Sequence, residues 1–232
     1  ILRLFESDTY PPGQNLTETN FVALVNAYNF SIVSWDAHGS PDAAWTYYDD
    51  AFVSRATVVT RLANEYYPFA WAMSCLTGGL DSEESGGAYG ESLGEAWVRY
   101  ERGGIGYYAY PRVTWGWAGE NSTSTENYGV VIGLTVGLQC LTFKVLNRTG
   151  IACQAPIVYL AKLKYYQGGW GYTTWSMMQD TADDYEIERK SVLCGMFFGE
   201  PAFRLLDNAY EYWPPRGRIT APKGIAGLYL SS

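Results

Sequence analysis

The stretch Ser31-Ile32-Val33-Ser34-Trp35-Asp36-Ala37-His38-Gly39-Ser40 decides the fold. Its first half is a short run rich in β-branched and aromatic residues, the composition of a buried strand. It then gives way to Asp, His and Gly. A second run, Phe69-Ala70-Trp71-Ala72-Met73-Ser74, stops in the same manner at Cys75-Leu76-Thr77-Gly78-Gly79. Strands covered on both faces read as near-continuous apolar runs, as in parallel sheets. Reactive side chains just past the ends of such strands are how an open α/β sheet builds a site. His38 is the only histidine in the chain. A free thiol has a pKa of about 8.5 and needs a base to become a nucleophile at neutral pH. His38 and Cys75 are therefore the candidate catalytic pair.

Outward from these two runs, helical and strand-like patterns alternate. Residues 16–28 space Phe21, Leu24, Val25 and Tyr28 on one helical face, with Thr17 or Thr19 as the N-cap. Residues 54–64 and 91–100 give two further helical patterns, the second ended by Gly103-Gly104. A third strand is expected over 105–110 and a fourth over 192–198, with Cys194 as a core thiol on it. Helices are expected over 128–146 and 156–166. This alternation is that of a mostly parallel sheet flanked by helices. Four strands are few for so many helices, so the sheet is expected to lack its first strands. Trp213-Pro214-Pro215-Arg216-Gly217 marks a boundary. The expected organisation is a module over 1–210 and a C-terminal tail or linker over 211–232.

The 232 residues, 47% hydrophobic and 17% charged, suffice to bury a full core. The formal charge of −8, with no basic stripe, argues against nucleic acid as a partner. The most apolar stretch, 130–146, is broken by Thr, Gly, Gln and Lys and is too polar to span a membrane. The chain opens at Ile1 with no targeting segment visible, which suggests a mature or fragmentary product. Four Asn-x-Ser/Thr triplets, at Asn15, Asn29, Asn121 and Asn147, point with the aromatic-rich composition to an extracellular or cell-surface glycoprotein. Cys140 and Cys153 are near enough in sequence to pair, or equally to be two buried thiols. No Cys-x-x-Cys or histidine cluster exists, so no metal site is assigned. Calcium is the one cofactor that acidic loops at 81–84 and 180–188 suggest, although neither has spaced Asp-x-Asp ligands.

Histidine precedes cysteine by 37 positions (75 − 38), an order unlike that of papain-type peptidases. At Asp36-Ala37-His38-Gly39-Ser40-Pro41 and Ser74-Cys75-Leu76-Thr77-Gly78 the chain resembles the gingipain-like cysteine peptidases of the caspase-fold clan. Glu91-Ser92-Leu93-Gly94-Glu95-Ala96, Gly103-Gly104-Ile105-Gly106-Tyr107-Tyr108 and Phe198-Gly199-Glu200-Pro201-Ala202-Phe203-Arg204-Leu205 resemble further phrases of that family, in register over roughly 1–206. Ala37 stands where the family usually has Gly, Glu200 replaces its closing Asp, and the upstream half of its catalytic module has no counterpart here.

The resemblance implies a three-layer caspase-like fold and an endopeptidase acting on protein or peptide substrates. It implies an oxyanion hole formed by the backbone N–H groups of Gly39 and Cys75. It also implies a substrate pocket lined by Thr114, Trp115 and Trp117. Partners would include the upstream segment or other chains of a surface assembly. The competing reading is a catalytically inactive peptidase-like module with a structural or binding role in a surface or filament protein. Glu91 and Glu95, four apart on one helical face, read as solvated or capping residues rather than a catalytic pair.

Overall fold

In the computed structural model, the described residues are 2–5, 15–46, 50–80, 91–114, 116–118, 132–133, 138–139, 141–143, 145, 154–166, 192–200 and 227–231. The two runs that open the sequence reading form β2 (Ile32–Asp36) and β6 (Phe69–Met73), paired in parallel with Ile32 opposite Phe69 and Asp36 opposite Met73. Around them lie β1 (Leu2–Phe5), β7 (Gly106–Ala109), β10 (Met196–Gly199) and β11 (Gly227–Ser231). The six strands stand in the order β1-β11-β2-β6-β7-β10. All neighbours are parallel except β10, which runs antiparallel to β7 at one edge. The carboxyl ends of the five parallel strands therefore share one edge of the sheet.

Alternation along the strands sorts side chains between two cores. On one face Val33, Trp35, Ala70, Ala72, Tyr107 and Ala109 are buried. They pack with α1 (Glu18–Ala27) through Phe21, Val22 and Val25, with α2 (Arg55–Thr60) through Val58, and with α3 (Leu93–Arg99) through Leu93 and Trp97. Trp35 is the hub, its ring centroid 5.8–6.1 Å from those of Phe21, Phe52, Trp97 and Tyr107. On the opposite face Ile32, Phe69, Trp71, Met73, Tyr108 and Tyr110 pack with Leu138, Leu141 and Val145 and with α4 (Gln154–Tyr166) through Ile157, Val158, Ala161 and Tyr165. Helices on both faces of a mixed, mostly parallel sheet make this an α/β fold in three layers.

Local chemistry sets the helix starts. Thr17 caps α1 by accepting from the Asn20 N–H, while Ser54 with Thr57 and Ser92 with Glu95 form reciprocal capping boxes on α2 and α3. Glu95 is thus a capping residue. Glu91 is nearly buried and pairs with Arg99 at 3.0 Å.

The structure departs from the sequence reading in several places. β3 (His38–Ser40), β4 (Ala43–Trp45) and β5 (Ala51–Ser54) form a small antiparallel sheet too short to leave a periodic signal. Ile132–Gly133, expected within a helix over 128–146, is instead β9, antiparallel to β8 (Gly116–Ala118). The β-branched run Val130-Val131-Ile132 favours that outcome. Helix is described at residues 138–139 and 141–143. The strand expected over 192–198 starts at Met196, and Cys194 lies half-buried before it rather than on it. Val192 and Leu193 are helical, and Lys162 Nζ donates to the carbonyls of Leu193 and Gly195 at 3.5 and 3.0 Å. The helix expected over 54–64 stops at Thr60, where Asn26 takes over the backbone by donating to the Arg61 carbonyl and accepting from the Ala63 N–H. Within 211–232, expected as tail or linker, residues 227–231 contribute β11 to the main sheet.

Candidate active site

β2 delivers Asp36, Ala37 and His38 to the carboxyl edge of the sheet, and neighbouring β6 delivers Ser74 and Cys75 to the same edge. The two limbs stay together beyond the last paired row. The Ala37 N–H donates to the Met73 carbonyl at 3.0 Å. A methyl built on Gly39 would lie 2.3 Å from the Cys75 carbonyl oxygen, 2.8 Å from Ser74 Cβ and 2.9 Å from the Cys75 nitrogen. Only a residue without Cβ permits that approach. His38 is exposed, opening β3 opposite Trp45.

The Cys75 sulfur is held by one residue from a third limb. Its Sγ donates to the Thr114 carbonyl at 3.2 Å and accepts from the Thr114 N–H at 3.3 Å. The Thr114 hydroxyl is enclosed with no hydrogen-bond partner among the described residues. Trp115 lies outside the described residues, and of Trp117 only its place on β8 is described.

Leu76, directly after Cys75, has φ of 63°. A branched side chain in the left-handed region is unusual, costs about 1–2 kcal/mol, and is the kind of strain that gathers at functional turns. Local hydrogen bonds hold it there: the Thr77 N–H donates to the Cys75 carbonyl, the Gly79 N–H to the Leu76 carbonyl, and the Leu76 N–H to the Arg112 carbonyl. No property of leucine announces such a turn.

The first amides of α3, which a helix cannot satisfy internally, tie the two limbs together. The Leu93 N–H donates to the Pro41 carbonyl, beyond His38, at 2.7 Å, and the Gly94 N–H donates to the Thr77 carbonyl, beyond Cys75, at 2.8 Å. From below, the Trp35 indole N–H donates to Ser74 Oγ at 3.2 Å, linking the core hub to the residue before Cys75. Burial at the end of β2 pushes the Asp36 carboxyl up to about 6; the Tyr110 phenol is held above its usual range chiefly by its own burial, with the Asp36 charge a small addition.

The model of peptidase family C25 matches residues 2–206. The chain belongs to this family. The crystal structure of the Arg-specific cysteine proteinase gingipain R has a related fold, with a TM-score of 0.55 at 16% identity over 85% of this chain. The match covers 38% of that proteinase's chain, so the C25 chain described here spans well under half of it. No curated protein matches. Family membership makes this a domain of the cysteine-peptidase type. No helix among the described residues is long and apolar enough to cross a membrane. Nor does any group of three or more His, Cys, Asp or Glu among those residues form a candidate metal site. The acidic loops at 81–84 and 180–188 lie outside the described residues, as do Cys140, Cys153, Asn121 and Asn147. Of the other two sequons, Asn29 is exposed, whereas the Asn15 Oδ1 is enclosed.

Proposed function

We propose that this C25 domain is an endopeptidase whose reacting pair is His38 and Cys75. The single observation that carries the reading is the apposition of Gly39 on the Cys75 backbone, which sets the His38 limb and the thiol limb side by side at the carboxyl edge. Cys75 Sγ attacks the scissile carbonyl carbon while His38 takes the thiol proton; His38 then protonates the leaving amine. Water attacks the resulting thioester, giving one proton back through His38 to the sulfur and releasing the acid. The N–H groups of Gly39 and Cys75 are the proposed oxyanion donors, and each such donor is typically worth about 10²–10³ in rate. Thr114 holds the sulfur on one side and, with Trp115 and Trp117, is proposed to line the substrate groove.

The extracellular or cell-surface setting belongs to the same proposal. It is supported by the sequons, of which Asn29 has the exposure a glycan needs.

The experiment is peptide hydrolysis by the intact protein with Cys75→Ala and His38→Ala variants. Each substitution is expected to lower kcat/KM at least about 10³-fold. Rapid, pH-dependent alkylation of Cys75 by iodoacetamide, slowed in His38→Ala, is expected alongside. Full hydrolysis by Cys75→Ala would remove the assignment, and a sluggish thiol in the native protein would favour an inactive, peptidase-like module.

A further inference from the structure

β11 is the last described element of the sequence, yet it lies inside the sheet, flanked by β1 and β2. Five rows join it to β2, from Gly227 opposite Ile32 to Ser231 opposite Asp36. Four rows join it to β1, from Leu2 opposite Leu228 to Phe5 opposite Ser231. Among the described residues β1 has no other strand neighbour in the sheet, and every ladder hydrogen bond described between β1 and the main sheet passes through β11.

The partners are remote along the chain. Gly227 and Ile32 are 195 positions apart (227 − 32) and Leu2 and Leu228 are 226 apart (228 − 2), and such long closures make the two β11 pairings entropically the most costly in the sheet. The row pattern nevertheless suits the position. Leu228 and Leu230 occupy the rows of Val33 and Trp35, both with no exposed surface, and Leu230 shares its second row with buried Leu4. Residues 223–232 contain no proline, so every backbone N–H there can donate.

We propose that the position between β1 and β2 is a strand-acceptor slot whose ligand is the parallel strand Gly227–Ser231, with leucine at two alternate positions. The segment docks as an exchangeable ligand, and the same sequence supplied as a separate peptide can take its place. The recognition is that of strand addition, in which main-chain hydrogen bonds give affinity and alternate side-chain rows give selectivity. Emptying the slot leaves β1 and the side of β2 that faces β11 without ladder partners, at high cost for a strand as buried as β2. Ser231 shares a row with Asp36, two residues before His38, so occupancy also braces the His38 limb. This last link, unlike the slot, rests on His38 and Cys75 being the reacting pair.

The test begins with hydrogen exchange in the unaltered full chain. Amides of 227–231 are expected to exchange as slowly as those of β2; exchange at the rate of an unstructured peptide would overturn the proposal. Next, a protease site is introduced within 207–222, beyond the residues matched by the family model, and cut after folding. The C-terminal fragment is expected to stay bound. A fluorescent 224–232 peptide in excess should then replace it saturably, while the same peptide carrying Leu228→Asp and Leu230→Asp should not enter. Loss of the fragment with unchanged β2 exchange, or equal uptake of both peptides, would refute the slot. Cys75 alkylation in the same samples keeps the two readings apart. A sluggish thiol beside a protected β11 counts against the reacting pair alone, and a reactive thiol beside an unprotected β11 counts against the slot alone.

Discussion

Gly39 and Leu76 show how closely individual residues set this rim. The added methyl of Gly39→Ala would meet backbone atoms of Cys75 and the Ser74 side-chain carbon, none of which can rotate away. Overpacking of this kind is expected to cost about 3 kcal/mol, read as a lowered urea midpoint, and to depress peptide hydrolysis by forcing the two limbs apart. Leu76 calls for the opposite ordering from that usual in helices. With φ at 63° any Cβ is strained, so Leu76→Gly should be more stable than Leu76→Ala by about 1 kcal/mol. Equal urea midpoints for the two variants would show that the turn relaxes when the leucine side chain is removed. The Cys and His of the candidate pair were visible in the sequence because reactive side chains at the ends of apolar runs stand out. The left-handed turn was not, because backbone dihedrals follow from the hydrogen bonds to Arg112 and Gly79 and from nothing in leucine itself.

At the scale of elements, α3 acts as a clamp. Its capping box fixes where the helix begins, and that start aims the Leu93 and Gly94 amides at the Pro41 and Thr77 carbonyls. Ser92→Ala is expected to destabilise the protein by about 1 kcal/mol, measured by urea denaturation. It should also lower kcat/KM more than a remote cap loss of the same size, for which Ser54→Ala on α2 is the comparison. The helix was legible beforehand from Ser92, Glu95 and the apolar spacing, since capping and periodicity are local. The hairpin of β3 and β4 was not, since three-residue strands carry no period. Nor was β9, where the β-branched run Val130-Val131-Ile132 outweighed an apolar pattern that also suited a helix.

Across the whole molecule, one half-buried carboxyl links pH to stability. Asp36 ionises at about 6 in the folded protein against 3.8 in an exposed chain, so folding favours its protonated form. The stability this contributes is complete below about pH 3.8 and is lost as pH rises through 6. The loss is at most about 3 kcal/mol, from 1.36 kcal/mol per unit, and less to the extent that Asp36 is reached by water. Asp36→Asn should therefore raise stability at pH 7 and leave it nearly unchanged at pH 4. Urea midpoints at the two pH values check this, and an unchanged difference between variant and parent would refute it.

Sequence alone determined the parts of this protein that local chemistry dictates: the apolar strands β2, β6 and β7, the capped helices, and the polar residues on which the strands end. Its short family phrases were enough to foresee a gingipain-like, three-layer α/β arrangement. Tertiary structure alone decided that β11 enters the sheet between β1 and β2, that Gly39 closes against Cys75, and that Thr114 grips the thiol. Each of these joins residues dozens to more than two hundred positions apart. Such pairings are chosen by which buried rows and backbone groups complete one another once the sheet has assembled, and no window of sequence contains both halves.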